Sequence, residues 1–333
     1  MENITSIFGL DADQTLLLYS LEYMITLDDV EESLKRDQKK GSIKREWLIS
    51  WTNGINNLLH SMGVQKNVLT NKEEMSSLYN RIKGKYNQNA WKYMILLECT
   101  LFIPYFTLSS EKETIKKYKG LKPSKSNLKE SVNNVSSILG TDTKYIDIFK
   151  KDYKSAIKKL TNHWMKVLFG SIAAAFALIA IVITFQYEIA PLLAPGLYGV
   201  AAVNSALATL GGGALAAGGL GIAGGELVVV GGGAILGTSL SSGVMALIGS
   251  SSDFTLSQLA RLQVVLKEII MGMQNDVNMI QKILLNQQDK INELRKEVIR
   301  LKADIEKNKN KIKNLEKSIN YFERFMEANI KAA

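Results

Sequence analysis

The side chains most able to do chemistry in this sequence are few and far apart. Its two histidines, His60 and His163, are separated by about a hundred residues, and Cys99 is its only cysteine. A cysteine-based zinc site needs at least two thiolates, and a nucleophilic triad needs a base next to its nucleophile. The spacing favours neither, so the sequence predicts a protein that is not an enzyme and uses no metal or cofactor.

Two other patterns have a chemical interpretation and a simpler one. The acidic run from Asp28 to Glu32 could bind a hard cation, but on a helix such a run is usually a solvated face. The glycines between Gly219 and Gly224 have the spacing of a dinucleotide-binding fingerprint, but no strand precedes them and no acidic residue follows about twenty positions later. Neither pattern predicts a site.

Two glutamates are unusual because they lie in a long segment that is otherwise free of charge. From Val167 to Ser252, 86 residues contain only Glu188 and Glu226 as charges, together with 17 of the 25 glycines. An ionisable group inside a membrane is a functional candidate by default, either lining a pore or lying at a turn between spans. The segment is therefore a candidate for membrane insertion, with these two glutamates as its candidate intramembrane charges.

The first part of this apolar segment is long enough to span a bilayer. Val167 to Tyr187 is 21 uncharged residues, which as a helix crosses a hydrocarbon layer of about 30 Å. Pro191 and Pro195 then predict a turn, and two further apolar stretches follow at Leu197–Gly225 and Leu227–Gly249. The side chains expected to enter or border the lipid are Trp164, Phe169, Phe176, Ile179, Ile181, Tyr187, Leu197 and Leu227.

Small residues recur at every fourth position in the two later stretches. These candidate helix-packing residues are Gly213, Ala217, Gly221 and Gly225, followed by Gly233 and Gly237. In lipid, helices associate by close packing at small residues, so these stripes predict self-assembly. A helical hairpin buried inside a large soluble protein remains an alternative. A glycine-rich loop fits less well, because it would be polar rather than rich in Val, Leu and Ile.

The net charge of +9 does not indicate a nucleic-acid partner, because the basic excess is diffuse: residues 1–166 carry 26 basic and 19 acidic side chains. Its densest part lies directly before the apolar segment, where it suits an anionic lipid surface and marks the cytoplasmic side. The lysines expected to contact lipid are Lys150, Lys154, Lys158, Lys159 and Lys166. Met1 to Leu10 do not resemble a secretory signal. We expect a protein made in the cytoplasm that associates with or inserts into a membrane, and a soluble resting form is compatible with this.

Five blocks follow from this patterning, and only four prolines interrupt them. Residues 1–110 predict a small helical domain, with breaks at Gly41, Gly63 and Tyr86–Asn89 and with its aromatic residues in an ordinary core. Residues 111–126 have the composition of a basic linker, and residues 127–166 predict amphipathic helices. The hydrophobic glycine-rich segment occupies 167–252, and 253–333 predict a long coiled-coil helix. The fold class is thus an all-α helical bundle with a membrane-insertion segment.

The last block carries a sustained heptad repeat from Leu256 to Met326, in which 18 of 21 core positions are apolar. It predicts one helix of roughly 100 Å in a coiled coil or bundle. Asn308 occupies a core position, where it either fixes register and oligomeric state or is merely tolerated. The pattern does not identify the partner helix.

This layout resembles that of the α-helical pore-forming toxins of the cytolysin A and haemolysin BL group. The resemblance covers Asn127 to Ala333 and rests on the glycine- and alanine-rich insert at Gly211–Gly233 between two helical flanks. It implies a soluble form that hides an apolar head, then inserts it and assembles with like or related helical subunits. The glycine ladder is also similar to that of glycine-zipper membrane effectors. A membrane-permeabilising toxin or effector is the expected function, and the alternative is an integral membrane protein whose coiled coil scaffolds a partner.

Overall fold

The computed structural model describes residues 9–61, 64–86, 89–105, 112–161, 228–229, 231–232, 235 and 242–330. These residues are mostly helical, apart from the two-residue strands β1 (Gly9–Leu10) and β2 (Val228–Val229), which pair with each other. The predicted all-α fold is confirmed, with Val277–Ile330 as its long helical C-terminal part.

The chain divides into two compact units. The N-terminal unit contains the described residues from Leu10 to Ile148, and the C-terminal unit contains those from Phe149 onward together with Gly9. The helices of the first unit are α1 (Ala12–Arg36), α2 (Gln38–Ser61), α3 (Lys72–Lys85), α4 (Ala90–Leu101), α5 (Lys112–Tyr118), α6 (Lys125–Leu139) and the start of α7 (Lys144–Thr161).

The N-terminal unit is built around α1. A capping box formed by Asp11 and Gln14 starts this helix, and every residue from Gln14 to Glu22 is buried because α2, α3, α4 and α6 pack around it. The expected aromatic core is confirmed, since the rings of Trp47 and Trp51 stack at 6.1 Å and both side chains are fully buried.

Two sequence features of this unit differ from expectation. Gly41 does not break a helix but lies inside α2, where an added Cβ would come within 2.6 Å of the Leu34 backbone nitrogen. Glycine there permits a close approach of α2 to α1, and the chain breaks at Asp37 instead. The predicted linker at 111–126 contains α5 and packs within the unit, because the Ser124 N–H donates to buried Asp29.

The C-terminal unit is built around the short helix α9 (Ser252–Val264), nearly all of whose side chains are buried. Around it lie the second half of α7, the helix α8 (Ser242–Ser250), α10 (Val277–Leu301) and α11 (Ile305–Ile330). α9 continues as a π-helix over Val265–Gln274. Because these helices pack around α9, the C-terminal unit is a small helical bundle.

The heptad region is subdivided at two places. Asn275 adopts the left-handed conformation with φ +53°, and Asp276 then caps α10 by accepting a hydrogen bond from Met279 N. The second break is a 3₁₀ turn at Lys302–Asp304. The heptad repeat predicts a single helix here, and the structure has three helical segments with the same apolar spacing.

Two ion pairs show that α10 and α11 pack side by side in opposite directions. Arg295 contacts Glu323 at 2.6 Å and Glu297 contacts Lys311 at 3.3 Å. At about 1.5 Å per residue, a continuous helix would hold these partners some 20 to 40 Å apart. The partner helix that the sequence leaves unnamed is therefore α11 of the same chain, in a coiled-coil-like hairpin.

Asn308 has a local role at the hairpin turn. Its Nδ2 donates to the carbonyl oxygens of Asp304 at 2.9 Å and Leu301 at 3.3 Å. The Leu301 carbonyl is at the end of α10, where a helix leaves its last acceptors unsatisfied, and the Asp304 carbonyl directly precedes α11. The asparagine therefore stabilises the turn between α10 and α11.

Candidate functional site

The surface best suited to a functional role is the outward face of α7, which we call the basic face. Between Lys151 and Thr161 its exposed side chains are four lysines and one serine. The opposite face is buried in the C-terminal unit through Tyr153, Ala156, Ile157 and Leu160. The four lysines of the basic face are Lys151, Lys154, Lys158 and Lys159, and the predicted Lys150 is half-buried beside them.

Between Lys151 and Thr161 the one aspartate, Asp152, is half-buried, whereas Asp147, one turn before Lys151 in α7, is exposed. Asp152 forms an ion pair with Lys267, whose Nζ lies 2.7 Å from the Asp152 carboxylate. Partial burial by itself would lower the pKa of Lys267. Hydrogen bonds to Asp152 and Glu268 outweigh this effect and raise the pKa above its ordinary value. The negative charge of Asp152 is thus offset by Lys267, and the exposed charged side chains between Lys151 and Thr161 are all lysines.

Helix α11 contacts α7, which precedes the apolar segment, and α8, which lies at the C-terminal end of that segment. Arg324 Nη1 donates to the Leu160 carbonyl oxygen at 3.1 Å, near the end of α7. Asn314 Nδ2 donates to the carbonyl oxygens of Gly249 at 3.0 Å and Ser250 at 2.9 Å, at the end of α8. The two bonds to α8 satisfy carbonyls that the end of this helix leaves open. Helix α11 therefore contacts both α7 and α8.

The described end of the apolar segment is packed inside the bundle. Gly231 and Gly232 have φ of +61° and +89°, and an added Cβ at Gly232 would overlap the Gln258 carbonyl oxygen. This turn interrupts the predicted stretch Leu227–Gly249, because neighbouring residues with positive φ cannot continue a right-handed helix. In α8, Val244 and Ile248 belong to the core. The part of the segment expected to face lipid is therefore shorter than 167–252.

The remaining predicted membrane residues lie outside the described residues. These are the eight lipid-entering side chains from Trp164 to Leu227, the six glycine-stripe positions from Gly213 to Gly237, the charges Glu188 and Glu226, and Lys166. None of the helices that the structure does describe has both the length and the apolar character needed to cross a bilayer.

The acidic run on α1 contains a buried cluster that the sequence does not reveal. Asp29 is 1% exposed, and its carboxylate accepts hydrogen bonds from Lys44 Nζ, the Tyr105 hydroxyl at 2.6 Å and the Ser124 N–H at 2.7 Å. Lys44 also donates to Ser33 Oγ at 2.9 Å. The predicted solvated face therefore does not include Asp29, which ties α1 to α2 and to two loops.

Burial sets the protonation behaviour of this cluster. It lowers the pKa of Lys44 although Asp29 opposes the shift, and it raises the pKa of Tyr105, which stays a hydrogen-bond donor. Since the Asp29 carboxylate has three donors, the cluster is suited to holding four chain segments together. No local pattern could reveal it, because its members come from positions 29, 44, 105 and 124.

Comparisons of the chain with protein-family models, with curated proteins and with solved structures find no match.

Proposed function

We propose that this chain is a membrane-inserting, self-assembling protein that permeabilises a bilayer, as a pore-forming toxin or effector does. One observation carries the proposal: the basic face of α7 is followed, within six residues of Thr161, by the 21 uncharged residues Val167 to Tyr187. Lysines near an anionic surface contribute about 1 kcal/mol each to binding. The lysines would hold the bundle at the headgroups while the uncharged residues cross the hydrocarbon layer.

The anchoring of α7 and α8 bears on how the segment crosses. Both helices pack in the same C-terminal unit, and α11 contacts the ends of both. While that unit stays folded on one side of a bilayer, the chain between them must cross an even number of times. A hairpin with its turn near Pro191 and Pro195 is the simplest such path, and it places Glu188 at the turn on the far side.

Self-assembly within the bilayer would use the glycine stripes. Gly213, Ala217 and Gly221 repeat every four residues and let helix backbones approach closely. Gly232, which packs against α9, is not part of this stripe.

A second candidate function is a membrane-anchored scaffold that binds a partner without permeabilising the bilayer. The observation in its favour is the outward face of α10, where Leu285 and Ile299 are both 72% exposed. A scaffold of this kind would bind vesicles and leave them intact.

Dye release separates the two functions. We expect the purified chain at micromolar concentration to release dye from vesicles containing phosphatidylserine. Replacing Gly213 and Gly221 with leucine should separate the backbones and reduce leakage by about tenfold or more, while vesicle binding is retained. The matched control is Gly212→Leu with Gly219→Leu, which adds the same bulk to the opposite helix face.

Two outcomes would count against permeabilisation. If the chain binds these vesicles but releases no dye, the scaffold replaces the pore as the favoured function. If it does not bind them at all, both functions are wrong.

A further inference from the structure

An apolar stripe runs along the outward face of α10, opposite its contact with α11. Leu285 and Ile299 are each 72% exposed, and they lie seven residues before and after Asn292. At about 100° per residue the three side chains fall within about 40° around the helix. Two large apolar side chains at the centre of a solvated face form a line that a neighbouring helix can cover.

We propose that this stripe binds the same stripe of a second copy of the chain, with the two α10 helices antiparallel and a two-fold axis at Asn292. Because the stripe is symmetric about this residue, Leu285 then packs on Ile299 of the second copy, at both ends. The two asparagines meet at the axis, where a paired polar residue fixes register in helix pairs. The stripe is bordered by uncharged Gln281 and Gln288, which are also exposed.

The charges beside the stripe select the antiparallel direction. Asp289 and Lys296 lie on one flank, and Gln288 and Arg295 lie on the other. In an antiparallel pair like flanks face each other, so Asp289 lies beside Lys296 of the second copy, twice. In a parallel pair unlike flanks face each other, and Lys296 would lie beside Arg295 of the second copy, a like-charge contact.

The size of the contact predicts a weak dimer. The contact buries only four large apolar side chains and two amides. The area that it covers is smaller than the roughly 1,200 Å² that stable complexes bury. Dimers should therefore form at micromolar concentration and dissociate on dilution. This inference goes beyond the proposed function and needs no bilayer, so it is tested without lipid.

Cysteine cross-linking tests both the contact and its direction. In the full-length chain, Asn292→Cys should give a disulfide-linked dimer under mild oxidation, because the two cysteines meet at the axis. Asn278→Cys lies on the same exposed face but is about 40 Å from its counterpart in an antiparallel pair, so it should not cross-link. The native Cys99 is buried and is not expected to interfere.

Surface variants supply an independent readout by sedimentation. Leu285→Lys with Ile299→Lys should abolish the dimer, whereas Ile49→Lys, at an exposed isoleucine on α2, should leave it unchanged. Lys296→Glu should weaken the dimer by about tenfold, and adding Asp289→Lys should restore it. A chain that stays monomeric at high micromolar concentration, equal cross-linking through both cysteines, or no rescue by the charge swap would overturn the proposal.

Discussion

Replacing Lys151, Lys154, Lys158 and Lys159 with glutamine should weaken binding to anionic vesicles by about two to three orders of magnitude. Each lysine near the surface contributes about 1 kcal/mol, and 1.4 kcal/mol is a factor of ten in affinity. The four side chains are exposed on one side of a helix whose other side is buried in the bundle. The substitutions therefore change the charge of the surface without changing the core. Flotation with vesicles of graded phosphatidylserine content measures the loss.

A charge-matched control separates the basic face from net charge. Lys307, Lys309, Lys313 and Lys317 are exposed on α11, and replacing them with glutamine removes the same four charges. Binding of this control should fall far less. Equal losses in the two variants would mean that overall charge, and not the face of α7, attracts the chain to lipid. Raising the salt concentration should weaken vesicle binding by the wild-type chain more than vesicle binding by the α7 variant, because salt screens exposed charges.

Removing the carboxylate of Asp29 should destabilise the N-terminal unit by about 3 to 5 kcal/mol, the usual cost of leaving one partner of a buried ion pair uncompensated. After Asp29→Ala, Lys44, which is 2% exposed, would keep only the Ser33 hydroxyl as a hydrogen-bond acceptor among the described residues. Tyr105 and the Ser124 N–H would lose their acceptor as well. Urea unfolding followed by tryptophan fluorescence measures the effect, since Trp47, Trp51 and Trp91 are all in this unit.

Two control variants test whether the loss of stability comes from the Asp29 cluster itself. Glu31→Ala removes an exposed acid from the same helix and should shift the unfolding midpoint little. Lys44→Met combined with Asp29→Asn removes both charges together and should recover part of the lost stability. If Asp29→Ala is as stable as Glu31→Ala, the cluster does not hold the unit together.

The local periodicity of the sequence was sufficient for the fold class and for the faces of several helices. Tyr153, Ile157 and Leu160 lie on the buried face of α7, and the lysines lie opposite, because a 3.6-residue period assigns both faces at once. The aromatic core around Trp47 and Trp51 was predictable for a similar reason, since large rings are seldom left in water.

The subdivision of the heptad region was not predictable from that periodicity. One long helix and a hairpin of shorter helices have the same apolar spacing, and neither break contains proline or glycine. Beyond Leu315 the buried positions on α11 are Ser318, Tyr321, Phe322, Phe325 and Asn329, where the heptad predicts Ile319, Phe322 and Met326. A straight helix drifts away from a strict seven-residue repeat, which accounts for this shift.

The candidate site also has features that the sequence predicts and features that it does not. The basic face of α7 was visible as lysines at helical spacing. The contacts that neutralise Asp152 and close the ends of α7 and α8 join residues more than sixty positions apart, so only the folded chain brings them together. The same holds for the Gly231–Gly232 turn, because the requirement for glycine at 232 comes from the position of α9.

The proposed function requires the uncharged residues following α7 to lie among lipid tails. A fluorophore attached at Ala177→Cys, in the middle of Val167–Tyr187, measures this directly when quenchers are carried at known depths on the acyl chains. Cys99 is fully buried and burial raises the pKa of its thiol, so labelling should be confined to the new cysteine. Ser155→Cys, on the basic face, is the reference position.

With anionic vesicles present, we expect a blue-shifted emission at position 177 and quenching by the deepest quenchers, while position 155 responds only to quenchers at the headgroups. The contrary result would be emission at position 177 that no acyl-chain quencher reduces, although the chains are shown to be bound to the vesicles. Such emission would mean that the fluorophore is in water or inside the protein, and it would contradict insertion.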